Sequence, residues 1–151
     1  MKNLTLLIAC FMACFVLAGQ QSVKNDRDAI RELVLTAYVD GLHNKGDLEI
    51  TRKGFFEGFD LLILQNSMVN KLPIYNWISM TRSRNMKDPG LPDEQVLTHC
   101  DFEFIDITGD AAVAKIHLSR SGEIIFTDYL MFYRFDEGWK IVGKIFHRIA
   151  E

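Results

Sequence analysis

From Asp26 onward, apolar residues recur at intervals of three and four. Ile30, Leu33, Val34, Ala37, Tyr38 and Leu42 share one side, and Arg27, Asp28, Arg31, Glu32 and Asp40 take the other. This spacing predicts an amphipathic helix over Asp26–Lys45, capped by Asn25 or Asp26 and ended by Gly46 in a left-handed conformation. Asp47 is placed to cap a second, short helix reaching about Lys53. Phe55 to Leu64 turns aromatic and then aliphatic, which predicts an irregular lead into a short strand. Pro73 suits the first turn of a third helix carrying Ile74, Trp77, Ile78 and Met80–Thr81, because a helix start has no use for the missing N–H. The polar stretch Arg82–Glu94, with Pro89-Gly90 and Pro92, predicts a loop.

The last third changes period. Val96–Ile107, Ala111–Arg120, Ile124–Phe135 and Trp139–Ile149 read as four strands, separated by Thr108-Gly109-Asp110, Ser121-Gly122 and Asp136-Glu137-Gly138. Short turns between consecutive strands require antiparallel neighbours, so these four form a meander. Helices followed by a continuous antiparallel sheet define an α+β layout with the helices on one face. Along the second of these strands Ala112, Ala114, Ile116 and Leu118 form an apolar face, while Val113, Lys115, His117 and Ser119 form the other. The third strand is apolar on both faces, with Ile124, Phe126, Leu130 and Phe132 against Ile125, Tyr129, Met131, Tyr133 and Phe135. Strands of that kind are covered on both sides. Helices can cover one; a second copy of the chain is the simplest cover for the other, with an extended loop as the alternative, which predicts a homodimer through the outer sheet face.

Residues 1–19 have the pattern of an export leader: Lys2, then Leu4–Ala18 with only Thr5 polar, then the small pair Ala18-Gly19. A membrane-spanning helix needs about 20 apolar residues, more than this run supplies, so no stable anchor is expected after cleavage. Six apolar residues before Cys10 are too few for a lipoprotein box, and Gln20 stands where the later small site would need Cys. The expected organisation is a leader at 1–19, a short tail at 20–25 and one domain at 26–151, secreted or periplasmic. Cleavage removes Cys10 and Cys14, so Cys100 is alone, and in its apolar run it reads as a small buried hydrophobe rather than a nucleophile. The chain has 151 residues, 48% hydrophobic and 25% charged, with net charge −3, an ordinary globular balance that gives a phosphate backbone nothing to bind.

With helices and meander in place, the chain resembles the nuclear transport factor 2-like superfamily, and most closely its putative lumazine-binding or SnoaL-like branch. The resemblance rests on Tyr38-x-x-Gly41 followed by Gly46-Asp47, on Asp128-Tyr129-Leu130, and on Gly138-Trp139-Lys140-Ile141-Val142 with Lys144 and Phe146. It spans about Asp26 to His147. It implies a cone-shaped, strongly bent antiparallel sheet, built from the four-strand meander plus short early strands and closed by about three N-terminal helices. It also implies an internal pocket and a dimer through the outer sheet face. Function does not follow from such a fold, which hosts isomerases, dehydratases, binding proteins and transport adaptors.

Candidate chemistry is sparse. His43, His99, His117 and His147 show no paired spacing of metal ligands, His99 and Asp101 would supply only two, and neither metal nor cofactor is expected. No nucleophile elbow, phosphate loop, dinucleotide fingerprint or redox Cys pair is present. Asp128 is the leading acid–base candidate because it interrupts an apolar strand face; a structural carboxylate is the plainer reading of it. His147 and His99 are its possible partners. A two-residue turn at Asp136-Glu137 puts Asp128 and His147 on one face. A three-residue turn with Gly138 left-handed separates them, and Gly138 favours the second. Tyr38, Tyr75 and Trp77, with Asp101 and Asp128, are the candidate ligand-binding residues. The expected function is a small-molecule-binding or accessory domain with an internal cone pocket. A lyase or isomerase of the ketosteroid-isomerase or polyketide-cyclase kind is the alternative, and a protein-interaction module with a filled cone the third; no enzymatic signature is matched that would carry catalytic residues over.

Overall fold

The computed structural model describes residues 25–90 and 96–149, so the leader expected at 1–19, most of the tail and part of the loop before the meander lie outside the described residues. Helix α1 covers 25–43 and is α-helical only over 25–33; Val34–His43 is π-helical. Its apolar stripe is buried as the spacing predicts, with Ile30, Val34, Ala37, Tyr38 and Leu42 within 1% of full burial. Asp26 serves the far end of the sheet, accepting from Trp139 Nε1 at 3.1 Å and pairing with Arg134 at 3.0 Å. Asn44 ends α1, its side chain exchanging two hydrogen bonds with the backbone of Thr98. The left-handed residue is Lys45 (φ 60), not Gly46. Gly46 is needed for closeness instead: a Cβ there would lie 3.0 Å from the Asp40 carbonyl.

Helix α2, Leu48–Gly54, is capped by Asp47, whose carboxylate accepts from the Glu49 amide at 2.8 Å. It packs hard against α1. The buried Thr51 hydroxyl donates to the Ala37 carbonyl at 2.8 Å, an approach that requires Gly41, since a Cβ there would fall 1.8 Å from Thr51 Oγ1.

Strand β1, Phe55–Gln65, and strand β2, Met68–Pro73, form a hairpin. β1 is therefore longer and more regular than expected, and β2 is an addition. Asn66 and Ser67 both take positive φ (50 and 62), the geometry of a two-residue hairpin turn, without the glycine that usually advertises it. Helix α3, Ile74–Lys87, follows Pro73 as predicted but continues past Thr81. Charge alone does not stop a helix; nothing from Arg82 to Lys87 is a breaker, and Pro89 is the first residue that disfavours helix before it. Arg84 uses the extra turn to donate to the Leu42 carbonyl at 2.7 Å.

The meander is β3 (Thr98–Thr108), β4 (Ala111–Arg120), β5 (Glu123–Phe135) and β6 (Gly138–Arg148). The sheet order is β2-β1-β6-β5-β4-β3; β1 runs parallel to β6 and all other neighbours are antiparallel, so this curved, open sheet is mixed. The helices lie on one face, over Ile116, Leu118, Leu130, Phe132 and Ile141, and Trp139 is buried beside Asp26. Among the described residues, no helix is long and apolar enough to cross a membrane.

Three irregularities change which side chains face inward. The β5–β6 turn is the two-residue form, with Phe135 opposite Gly138. Between Met131 and Phe132 the register then shifts, leaving Val142 as an extra residue on β6. Ile125 is likewise extra on β5, so Ile124 lies on the outer face and Ile125 packs toward the core, the reverse of simple alternation. A third shift places Glu103 between Phe102 and Phe104 on β3.

Candidate functional site

The bulge at Val142 builds the site. Had the turn's register continued, Lys144 would lie opposite Tyr129 on the outer face; with one residue inserted it lies opposite Leu130 and points inward. There its ammonium reaches Asp128 Oδ2 at 2.9 Å, and both residues are buried, Lys144 at 4% and Asp128 at 0% exposure. The Tyr38 hydroxyl, brought down from α1, donates to the same carboxylate oxygen at 2.6 Å and accepts from Lys144. Aromatic rings wrap the ammonium: Tyr38 at 4.6 Å, Phe146 at 5.2 Å, Trp77 of α3 at 5.5 Å and Phe126 at 6.0 Å from ring centre to Nζ.

His43 joins this group through the π-helix. In an α-helix, residues five apart are separated by roughly 140° around the axis. Closing the backbone bond between residues five apart stacks Tyr38 and His43 instead. Their rings meet edge to face at 5.1 Å.

Burial sets the electrostatics. It pulls the Lys144 ammonium below its ordinary value, an effect that Asp128 partly offsets. Burial first, and then the Asp128 charge and hydrogen bond, lift the Tyr38 phenol well above its own. His43 is pulled down to about 3 by burial and then by the cations Lys144, Arg120 and Arg84, so it is neutral. Cys100 is pushed up to about 12 by burial, then by Asp101 and Asp128, so it stays a thiol. Three enclosed side-chain polar atoms have no hydrogen-bond partner among the described residues; two of them, Asp128 Oδ1 and His43 Nε2, belong to this group, and the third is Asn85 Oδ1 on α3. The arrangement offers a free carboxylate oxygen and a neutral imidazole nitrogen, and a phenol set between carboxylate and ammonium can pass a proton between them.

Of the candidate residues read from sequence, Asp128, Tyr38 and Trp77 come together here. His147 lies opposite Thr127, exposed and on the outer face: the turn is the form that would have joined it to Asp128, and the bulge separates them again. His99 and Asp101 are exposed on the outer side of β3, opposite Ser119 and His117. Tyr75 is 65% exposed on another flank of α3. Lys144 and His43 were not legible as site residues, since one depends on a bulge and the other on a π-helix. Among the described residues, no group of three or more His, Cys, Asp or Glu is arranged to hold a metal ion.

Helices on the inner face of a curved mixed sheet, enclosing a polar cluster, define a nuclear transport factor 2-like α+β protein with a cystatin-like fold. Within that class the chain belongs to the family described as "Putative lumazine-binding", whose model matches residues 25–147. A nuclear transport factor 2-like protein of unknown function from Silicibacter pomeroyi is similar at 18% identity and TM-score 0.67, over 84% of this chain and 98% of that one. One from Shewanella baltica, also of unknown function, is similar at 24% identity and TM-score 0.65, over 84% and 96%. A third, from Novosphingobium aromaticivorans, has 20% identity and TM-score 0.65 over 89% and 88%. No curated protein matches.

Proposed function

We propose that this protein is an exported small-molecule-binding domain whose ligand is held against the inner sheet face by Asp128, Tyr38, Lys144 and His43, between the rings of Trp77, Phe126 and Phe146. One observation carries this reading: a fully enclosed carboxylate keeps one oxygen unpartnered while its other oxygen takes both an ammonium and a phenol. A purely structural ion pair would be expected to satisfy both oxygens. The family description supports a binding role, and the leader pattern at 1–19 supports export. Asp128 and Lys144 already neutralise one another, so the favoured ligand is uncharged, flat and apolar, with an N–H or O–H for Asp128 Oδ1. The second reading, acid–base catalysis of an isomerase or lyase kind, is favoured by the Tyr38 hydroxyl bridging carboxylate and ammonium.

Native mass spectrometry tests the first reading. Wild type and Asp128→Asn are incubated side by side with an extract of the native host and re-purified. Wild type should carry one small-molecule adduct per chain that denaturation releases, and the variant should lose it. No adduct on either protein would favour the filled interaction module.

A second copy of the chain is the proposed cover for the outer face. Phe104, Val113, Ile124, Tyr129, Met131, Tyr133 and Ile145 are each 43–55% exposed there. The adjoining charges, Glu103 with Lys115 and His117, already pair with one another, so a two-fold axis would bring apolar surface to apolar surface. Sedimentation at micromolar concentration should show a dimer, and Met131→Asp a folded monomer of nearly wild-type stability. A monomeric wild type would rule the interface out.

A further inference from the structure

We propose that the cleft between α2, α3 and the β5–β6 turn is a second binding site, for a flat aromatic carboxylate or sulfonate. Its volume is about 840 Å³, within the range of small-molecule pockets. Phe55, Ile74, Ile78 and Trp139 line it, all buried in the fold at 9% exposure or less. Tyr75 stands at the lip, 65% exposed, and accounts for the one aromatic candidate that the inner cluster did not absorb. An aromatic ring half in water above an apolar floor is suited to stacking on a planar ligand.

The charged groups on the lining set the sign. Arg52, Lys53 and Lys140 face Glu57 and Glu137. Glu137 is engaged by Lys140 at 3.1 Å. Among the described residues Arg52 is held only by Glu49, in an exposed pair at 2.9 Å, and such pairs are worth so little that a ligand anion can exchange with them. Lys53 makes no ion pair among the described residues. Among the described residues, the end of α2 therefore presents to the cleft a guanidinium and an ammonium open to exchange, against one carboxylate with no ion pair, Glu57. This cleft is separate from the inner cluster: Phe55 forms the wall, its ring meeting Phe59 at 4.8 Å and Tyr38 at 6.4 Å. It would exist whether or not the inner face binds anything.

The probe is anilinonaphthalene sulfonate, with the uncharged phenylnaphthylamine as its comparison. The sulfonate should bind one per chain with enhanced fluorescence. Lys53→Glu, on an exposed helix face, should weaken it roughly tenfold and leave the uncharged probe unaffected, as expected when a charge-assisted contact is reversed. Glu57→Gln should tighten the sulfonate, and Tyr75→Ala should weaken both probes. Sulfonate affinity indifferent to Lys53→Glu would overturn the site. So would sulfonate binding that is lost in Met131→Asp, which places the probe on the outer sheet, or in Asp128→Asn, which places it against the inner cluster.

Discussion

Lys144→Met should destabilise the domain by about 3–5 kcal/mol at pH 8, measured by urea unfolding, because it leaves the Asp128 carboxylate buried and unpaired. Tyr38 alone cannot offset that charge; a single hydrogen bond to a charged group contributes about 1.5–3 kcal/mol, and the hydroxyl would also lose the ammonium it accepts from. Adding Asp128→Leu should restore most of the loss, since replacing a whole buried pair with apolar side chains is often neutral or stabilising. That double variant also separates stability from function: it should fold and fail to retain a ligand on the inner face. A Lys144→Met protein within about 1 kcal/mol of wild type at pH 8 would show that the Asp128–Lys144 pair does not hold this part of the core together.

What could be read before the structure divides along a physical line. Periodicity locates elements, and it placed α1, α2 with its Asp47 cap, the start of α3 and all four meander strands. These depend on local pattern and turn chemistry, which a single chain displays. It misses the β1–β2 hairpin because Asn66-Ser67 reaches the left-handed region without glycine, and it stops α3 early because the polar run Arg82–Lys87 shows no apolar period although it contains no helix breaker. The site was half legible. Asp128 declared itself as a charge within an apolar alternation, and Tyr38 as part of the α1 stripe. Lys144 could not: its inward direction depends on one extra residue at Val142, and period-two reasoning assigns it to the wrong face. The same insertion separated His147 from Asp128, although the turn itself was the form that would have joined them. His43 was hidden by the assumption of 3.6 residues per turn, which a stretch of π-helix breaks.

His43 should make the domain acid-sensitive in a way that one substitution removes. The imidazole meets its edge partner Tyr38 on α1; burial first, and then the charges of Lys144 on β6, Arg120 on β4 and Arg84 on α3, bring its folded-state value down to about 3 against 6.5 for the free side chain. Below pH 6.5 the unfolded chain therefore takes up a proton that the folded chain refuses until about pH 3, so stability falls as pH falls through that window. The contribution is on the order of 1 kcal/mol per pH unit, and it vanishes above 6.5, where both states are neutral at this position. His43→Phe keeps a ring against Tyr38 and has no proton to bind. Unfolding curves at pH 7 and pH 4.5 should show wild type losing about 2 kcal/mol more than the variant over that interval. Carboxylates elsewhere titrate in both proteins and cancel in the comparison. Parallel pH profiles would show that His43 ionises as readily in the folded chain as in the unfolded one, and that its ring is open to water rather than enclosed beside Lys144.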